Sequence, residues 1–130
     1  MTRRHVLVID DDPVILRLLA TVLDLEEFQV STASDGHAGL AAVQQKGPDV
    51  VVCDVVMPGV DGHEVCRRIK SDPATVDLPV VLLTAHGGHD GRAAGEAAGC
   101  DAYLAKPFRP LELLEVVRGV RVDLDDAEGA

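Results

Sequence analysis

The stretch VLVIDDDP, Val6 to Pro13, decides the fold. Its apolar half is continuous rather than alternating, as expected of a strand buried on both faces. It stops abruptly in three aspartates and a proline. Asp12 suits an N-cap, and Pro13 suits the first helical position. Ile15, Leu18, Leu19 and Val22 then follow at i, i+3, i+4 and i+7, the stripe of a helix that packs one face on a core. The quoted residues are therefore a strand, a turn and a helix start, with Asp10 and Asp11 at the strand exit.

The same pattern recurs along the chain. Strands are expected near 5–10, 28–33, 49–54, 79–84 and 101–105. The first, third and fourth are almost pure Val, Ile and Leu, so they belong inside the sheet. The second and fifth are weaker and belong at its edges. A first helix is expected over 13–25, and a second from Ser34 or Asp35 to Lys46, stopped by Gly47-Pro48. A third starts after Asp61, with Glu64 completing a variant capping box and Gly62, Val65, Cys66 and Ile69 as its stripe. A fourth, 89–98, contains Gly91 and Gly95 and has only alanines to bury. Each interior glycine costs about 1 kcal/mol relative to alanine, so this is expected to be the least stable element. A fifth begins near Pro110 and carries Leu113, Val116, Val117 and Val120.

Five strand–helix units with right-handed crossovers give an α/β fold. It is a doubly wound, five-stranded parallel sheet of order 2-1-3-4-5 with five helices on both faces. In that order the first and third strands are neighbours at the switch point, where open α/β sheets bind ligands. Asp10 and Asp11 then face Asp54, the last residue of the third strand. Thr84 ends the fourth strand, and Lys106 follows the fifth.

Composition narrows the function. A chain of 130 residues suits one domain, and we expect that domain over 4–122, with 123–130 as an acidic tail or the start of a linker. The net charge of −10 argues against direct nucleic-acid binding, which needs a basic face. No apolar run approaches the roughly 20 residues of a membrane span. The chain lacks the apolar stretch of a signal peptide, so a cytoplasmic location is expected. Cys53, Cys66 and Cys100 lack metal-ligand spacing and read as buried reduced thiols. The histidines His5, His37, His63 and His89 are scattered and read as solvated or loop residues.

Carboxylates held close repel and raise one another's pKa unless a cation or proton joins them. Oxygen ligands without His or Cys favour Mg²⁺, with Mn²⁺ as a substitute. The expected ligands are Asp11 and Asp54 directly, the Val56 backbone carbonyl, and Asp10 through water. A carboxylate so placed can attack phosphorus and become an aspartyl phosphate, a reaction that is mostly positioning and charge neutralisation. Lys106 supplies a second positive pole, and Thr84 a hydroxyl donor. The plain alternatives are a loop-capping Asp54, a solvated Lys106 and a merely structural Thr84. The spacing of the whole set outweighs them.

With these motifs in view, the chain resembles the response-regulator receiver domain, the chemotaxis-regulator-like phosphoacceptor of two-component signalling, which has a flavodoxin-like fold. The resemblance spans about residues 4 to 121. It rests on Asp10-Asp11 after VLVI, Asp54 within CDVVMPGVDG, Thr84-Ala85 after VVLL, and Lys106-Pro107 within YLAKPF. It implies that Asp54 takes phosphate from a sensor histidine kinase or phosphotransfer protein, that Asp10 and Asp11 bind Mg²⁺, and that the Lys106–Pro107 bond is cis. It also assigns Thr84 and Tyr103 to a conformational switch. The output face would be the fourth helix, fifth strand and fifth helix, controlling an effector protein or domain, with phosphorylation-dependent homodimerisation through that face. Such a chain catalyses only its own phosphorylation and dephosphorylation. Val56 cannot position an attacking water, so hydrolysis would rest on His86 or an external phosphatase. Two other functions compete: a receiver-like scaffold that works without phosphate, and a metal phosphohydrolase. The intact acid set argues against the first. The second often has an acid two residues past the nucleophile, where Val56 stands.

Overall fold

The computed structural model describes residues 3–84 and 98–129. Five parallel strands, β1 (His5–Ile9), β2 (Gln29–Ala33), β3 (Val50–Asp54), β4 (Val80–Thr84) and β5 (Ala102–Ala105), form one sheet in the order β2-β1-β3-β4-β5. Four helices are described: α1 (Pro13–Leu25), α2 (Gly36–Lys46), α3 (Gly62–Ser71) and α4 (Pro110–Gly129). The expected fourth helix, 89–98, lies outside the described residues except for Ala98, so α4 is the fifth helix of the sequence pattern. β1, β3 and β4 are buried along their whole length, while β2 and β5 are partly exposed.

The period of two in each strand divides the core into two layers. Val6 and Val8, Val50 and Val52, Val81 and Leu83, and Leu104 face α1 and α4, where Leu19, Leu23, Leu113 and Val117 cover them. Leu7 and Ile9, Val51 and Cys53, and Val80 and Leu82 face the opposite layer, with Val43 of α2 and Val65, Cys66 and Ile69 of α3. Burying one such aliphatic side chain stabilises the fold by about 1.5–3 kcal/mol. α2 sits very close to the sheet: a Cβ added at Gly39 would run into Ile9 Cδ1 and Cγ1.

The helix starts follow the sequence. The side chains of Asp12, Asp35 and Asp61 accept from the backbone N–H groups of Val14, Ala38 and Glu64 at 2.9, 2.7 and 2.9 Å. Gly47 ends α2 in the left-handed region (φ 56°) and returns its N–H to Val43 O.

Three details depart from expectation. Leu18 is 52% exposed, and the inward stripe of α1 instead runs through Ile15, Leu16, Leu19, Val22 and Leu23. The Glu64 carboxylate does not complete the capping box; it is taken up by Arg67 and Arg68 at 3.0 and 2.9 Å. Two guanidinium groups offer a carboxylate stronger, charge-assisted bonds than one amide does. His5 is buried, not solvated, with Nε2 at 2.6 Å from Ser31 Oγ, because it already belongs to β1. Beyond these, the backbone is helical to Gly129, over the residues expected as an acidic tail or the start of a linker. Residues 120–128 contain neither proline nor glycine to interrupt it.

Candidate functional site

Position along the strands builds the site. Asp54 is the last residue of β3, Asp10 follows β1 directly, and Lys106 follows β5 directly. All three continue the alternation of residues that face α1 and α4. Adjacent parallel strands in register, with Ile9 opposite Cys53, bring the two acid ends side by side. Asp10, Asp11 and Asp54 each present a carboxylate oxygen, and these atoms lie within 4.8 Å of one another. Among the described residues this is the only such grouping of potential metal ligands. Asp10 and Asp54 are buried, and Asp11 opens to solvent.

Lys106 reaches into the cluster. Its Nζ lies 3.4 Å from Asp10 Oδ2 and 3.4 Å from Asp54 Oδ1, with 26% of the side chain exposed. The Lys106 N–H donates to Thr84 O at 2.7 Å, so the end of β4 fixes the base of this side chain. The Lys106–Pro107 bond is cis. Asp10 is further held by the Asp12 N–H, which donates to Oδ1 at 2.9 Å. One ammonium, in contact with two of three clustered carboxylates, leaves negative charge in excess. Burial chiefly raises the pKa of Asp54, and the facing Asp10 carboxylate adds to the rise. Lys106 opposes it, and Asp11 raises it again.

The donor set fits a hard divalent cation: oxygen ligands only, partly buried, open on one side at Asp11. The loop after β3 is held tightly. The Gly62 N–H donates to Val55 O at 2.9 Å. A Cβ at position 62 would strike Asp54 O and stand 2.8 Å from Val55 Cα. Only glycine lets α3 begin this close to the acid. Val56, 68% exposed, turns its side chain outward, while Met57 is buried.

Thr84 and Tyr103 fall on the other face of the sheet. Thr84 continues the alternation of Val80 and Leu82, and Tyr103 pairs in register with Leu82 and packs against the α2–α3 layer. Thr84 is buried and Tyr103 partly so. His86, expected to bear on hydrolysis, lies outside the described residues. Sequence reasoning gave His63 no role. Its Nε2 atom is buried at the start of α3 without a hydrogen-bond partner, and no sequence signal marks that burial.

The family model for the response regulator receiver domain matches residues 6–118. The chain belongs to that family. It is 43% identical over 116 residues to the response regulator PleD of Caulobacter vibrioides, covering 89% of this chain and 26% of that protein. It is 41% identical to the DNA-binding dual master transcriptional regulator RpaA of Synechocystis, covering 89% of this chain and 48% of RpaA. The receiver chain thus spans less than half the length of these curated relatives. Among solved structures it is similar to the chemotaxis response regulator CheY4 of Vibrio cholerae, with a TM-score of 0.87, 31% identity, and coverage of 92% and 99%. It is also similar to a response regulator receiver domain from Clostridium thermocellum, with a TM-score of 0.86, 30% identity, and coverage of 94% and 97%. It is therefore a signalling domain of the two-component class. No helix among the described residues is long and apolar enough to cross a membrane.

Proposed function

We propose that this receiver domain accepts a phosphoryl group on Asp54, from a sensor histidine kinase or a phosphotransfer protein, and passes the signal to a downstream effector. The observation that carries this reading is the convergence of Asp10, Asp11 and Asp54 on one point with Lys106 shared between two of them. The receiver unit is 4–122. Residues 123–130 follow it as an acidic tail or the start of a linker.

Asp10, Asp11, Asp54 and the Val56 carbonyl would hold Mg²⁺, or Mn²⁺ in its place. Such an ion, when bound, neutralises charge on a transferring phosphoryl group. An Asp54 carboxylate oxygen forms the new bond to phosphorus. The bond from phosphorus to the donor's histidine nitrogen breaks, and that nitrogen keeps the electron pair. Lys106 moves from its two carboxylate contacts to a phosphoryl oxygen. The Thr84 hydroxyl donates to another, and Tyr103 turns on the same face of the sheet. The face built on β5 and α4 then meets the effector or a second phosphorylated copy. Val56 offers no polar group to orient water, so hydrolysis depends on His86 or on an external phosphatase. The work is cytoplasmic, where kinase and effector domains meet it.

The test is intact-mass analysis after incubation with Mg²⁺ and a small acyl phosphate. We expect a gain of one phosphoryl group that disappears in Asp54→Ala. A chain that stays unmodified with both the small donor and phosphorylated kinases would be a scaffold instead. Val56→Asn tests the hydrolysis reading: the phosphorylated variant should decay faster than the parent, and an equal lifetime would refute it.

A further inference from the structure

We propose that Cys66 and Cys100 form an oxidant-sensitive thiol pair that closes to a disulfide between α3 and the entry to β5. All three cysteines are thiols, and sequence spacing gave no reason to join any two. The fold supplies the reason. Cys66 and Lys70 lie one turn apart on α3 and both touch the short segment that contains Cys100. Cys66 Sγ donates to Ala98 O at 3.4 Å. A Cβ at Gly99 would stand 3.5 Å from Lys70 Cγ. Lys70 Nζ pairs with Asp101 Oδ2 at 2.8 Å. Residues 98, 99 and 101 are thus all pinned to one face of α3, and Cys100 lies between them. Cys100 also packs against the buried cluster that includes Cys66. These contacts lay the segment that carries Cys100 along the turn of α3 that carries Cys66, the approach from which a disulfide closes.

Access differs between the two sulfurs. Cys100 is half-exposed and Cys66 fully buried. Burial raises the Cys66 thiol to about 12, and the neighbouring Cys100 adds to this. Cys100 is therefore the sulfur a peroxide meets first, and Cys66 the one that resolves it. In the first step the Cys100 sulfur attacks a peroxide oxygen and the O–O bond breaks. Sulfur is oxidised to a sulfenic acid, and the second oxygen leaves as water. In the second step Cys66 sulfur bonds to Cys100 sulfur and the S–O bond breaks. The departing hydroxide leaves as water with the Cys66 proton. Two thiols and one peroxide give one disulfide and two waters. A neutral, buried resolving thiol makes the second step slow, because the thiolate is the nucleophile. In a reducing compartment the pair rests as thiols and closes only under oxidant.

The inference does not depend on phosphorylation. The test is treatment of the intact chain with hydrogen peroxide, followed by alkylation, intact mass and peptide mapping, with thermal unfolding as a check on each variant. We expect the chain to lose two hydrogens and two alkylatable thiols, a peptide joining residues 66 and 100, and full reversal by a dithiol reductant. Cys66→Ala and Cys100→Ser should each abolish the crosslink, and Cys53→Ala should leave it. Oxygen addition at Cys100 without crosslinking, a crosslink through Cys53, or one between two chains would overturn the proposal. Should a variant fail to fold, the peptide map of the unsubstituted chain decides alone.

Discussion

The two ends of the sheet treat aspartate in opposite ways. At the end where strands begin, Asp49 and Asp101 each have a dedicated partner. Asp49 accepts the His5 N–H at 2.7 Å. Asp101 accepts the Val80 N–H at 2.7 Å and pairs with Lys70 at 2.8 Å. At the end where strands finish, Asp10, Asp11 and Asp54 crowd together, and one ammonium lies 3.4 Å from Asp10 and from Asp54. The first arrangement ties loops to strands, each acid accepting from a strand's first N–H. The second leaves excess negative charge in a partly dry place, which costs stability unless something else arrives. Identical side chains are satisfied at one end and crowded at the other, and the chemistry proposed for this domain falls on the crowded end.

The sharpest way to break this comparison is to exchange one acid at each end. Asp54→Asn should abolish phosphoryl uptake from an acyl phosphate with magnesium, whereas Asp101→Asn should retain it, both read by intact mass. Loss of uptake in a folded Asp101→Asn chain would erase the distinction. Stability should respond next. Asp101→Ala leaves the buried Val80 N–H without its acceptor, so urea unfolding should report a loss of about 1–3 kcal/mol. Gly62→Ala should cost a similar ~1–3 kcal/mol through overpacking at the acid end. Gly119, where a Cβ would meet nothing, should instead gain about 0.5–1 kcal/mol as alanine. Asp10→Asn, measured with a chelator present, should stabilise the fold by about 0.5–2 kcal/mol, the opposite sign to Asp101→Ala.

The smallest effects concern pH. Burial and then Asp10 raise Asp54 above the ordinary carboxylate value. Its folded form therefore holds a proton more tightly than the unfolded chain does. In chelator, stability should fall as pH rises from that ordinary value through the folded one. Glu64 is shifted down by Arg68 and Arg67, so its contribution is present above the ordinary value and fades as pH falls through the folded one. Unfolding curves across the acid range should lose the first trend in Asp54→Asn and the second, weaker one in Glu64→Gln. Equal slopes in parent and variants would contradict the assignment.

Much of this was legible in the residues. Continuous Val/Ile/Leu runs revealed the inner strands, because only a two-faced core needs them. Asp12, Asp35 and Asp61 revealed helix starts, because local capping is written in local sequence. The meeting of Asp10, Asp11 and Asp54 followed from strand order alone. Other features depend on what lies across space. Leu18 fits the periodic stripe as well as Leu16 does, and only the angle at which α1 lies on the sheet excludes it. His5 is buried because β2 places Ser31 beside it. Glu64 preferred two arginines to the amide its spacing suggested. The closeness of Cys66 to Ala98 arises from the packing of α3 along the approach to β5, to which spacing is blind.

Gly39 lies against Ile9 and meets no polar atom of the site. It leaves no space for a methyl group above Ile9, and Ile9 is bonded to Asp10. A genetic screen would score an alanine there as a signalling defect. A biochemist would look for a damaged contact with the donor and find none. The fault would lie one layer down, in a helix lifted off its strand and a carboxylate carried out of alignment with it.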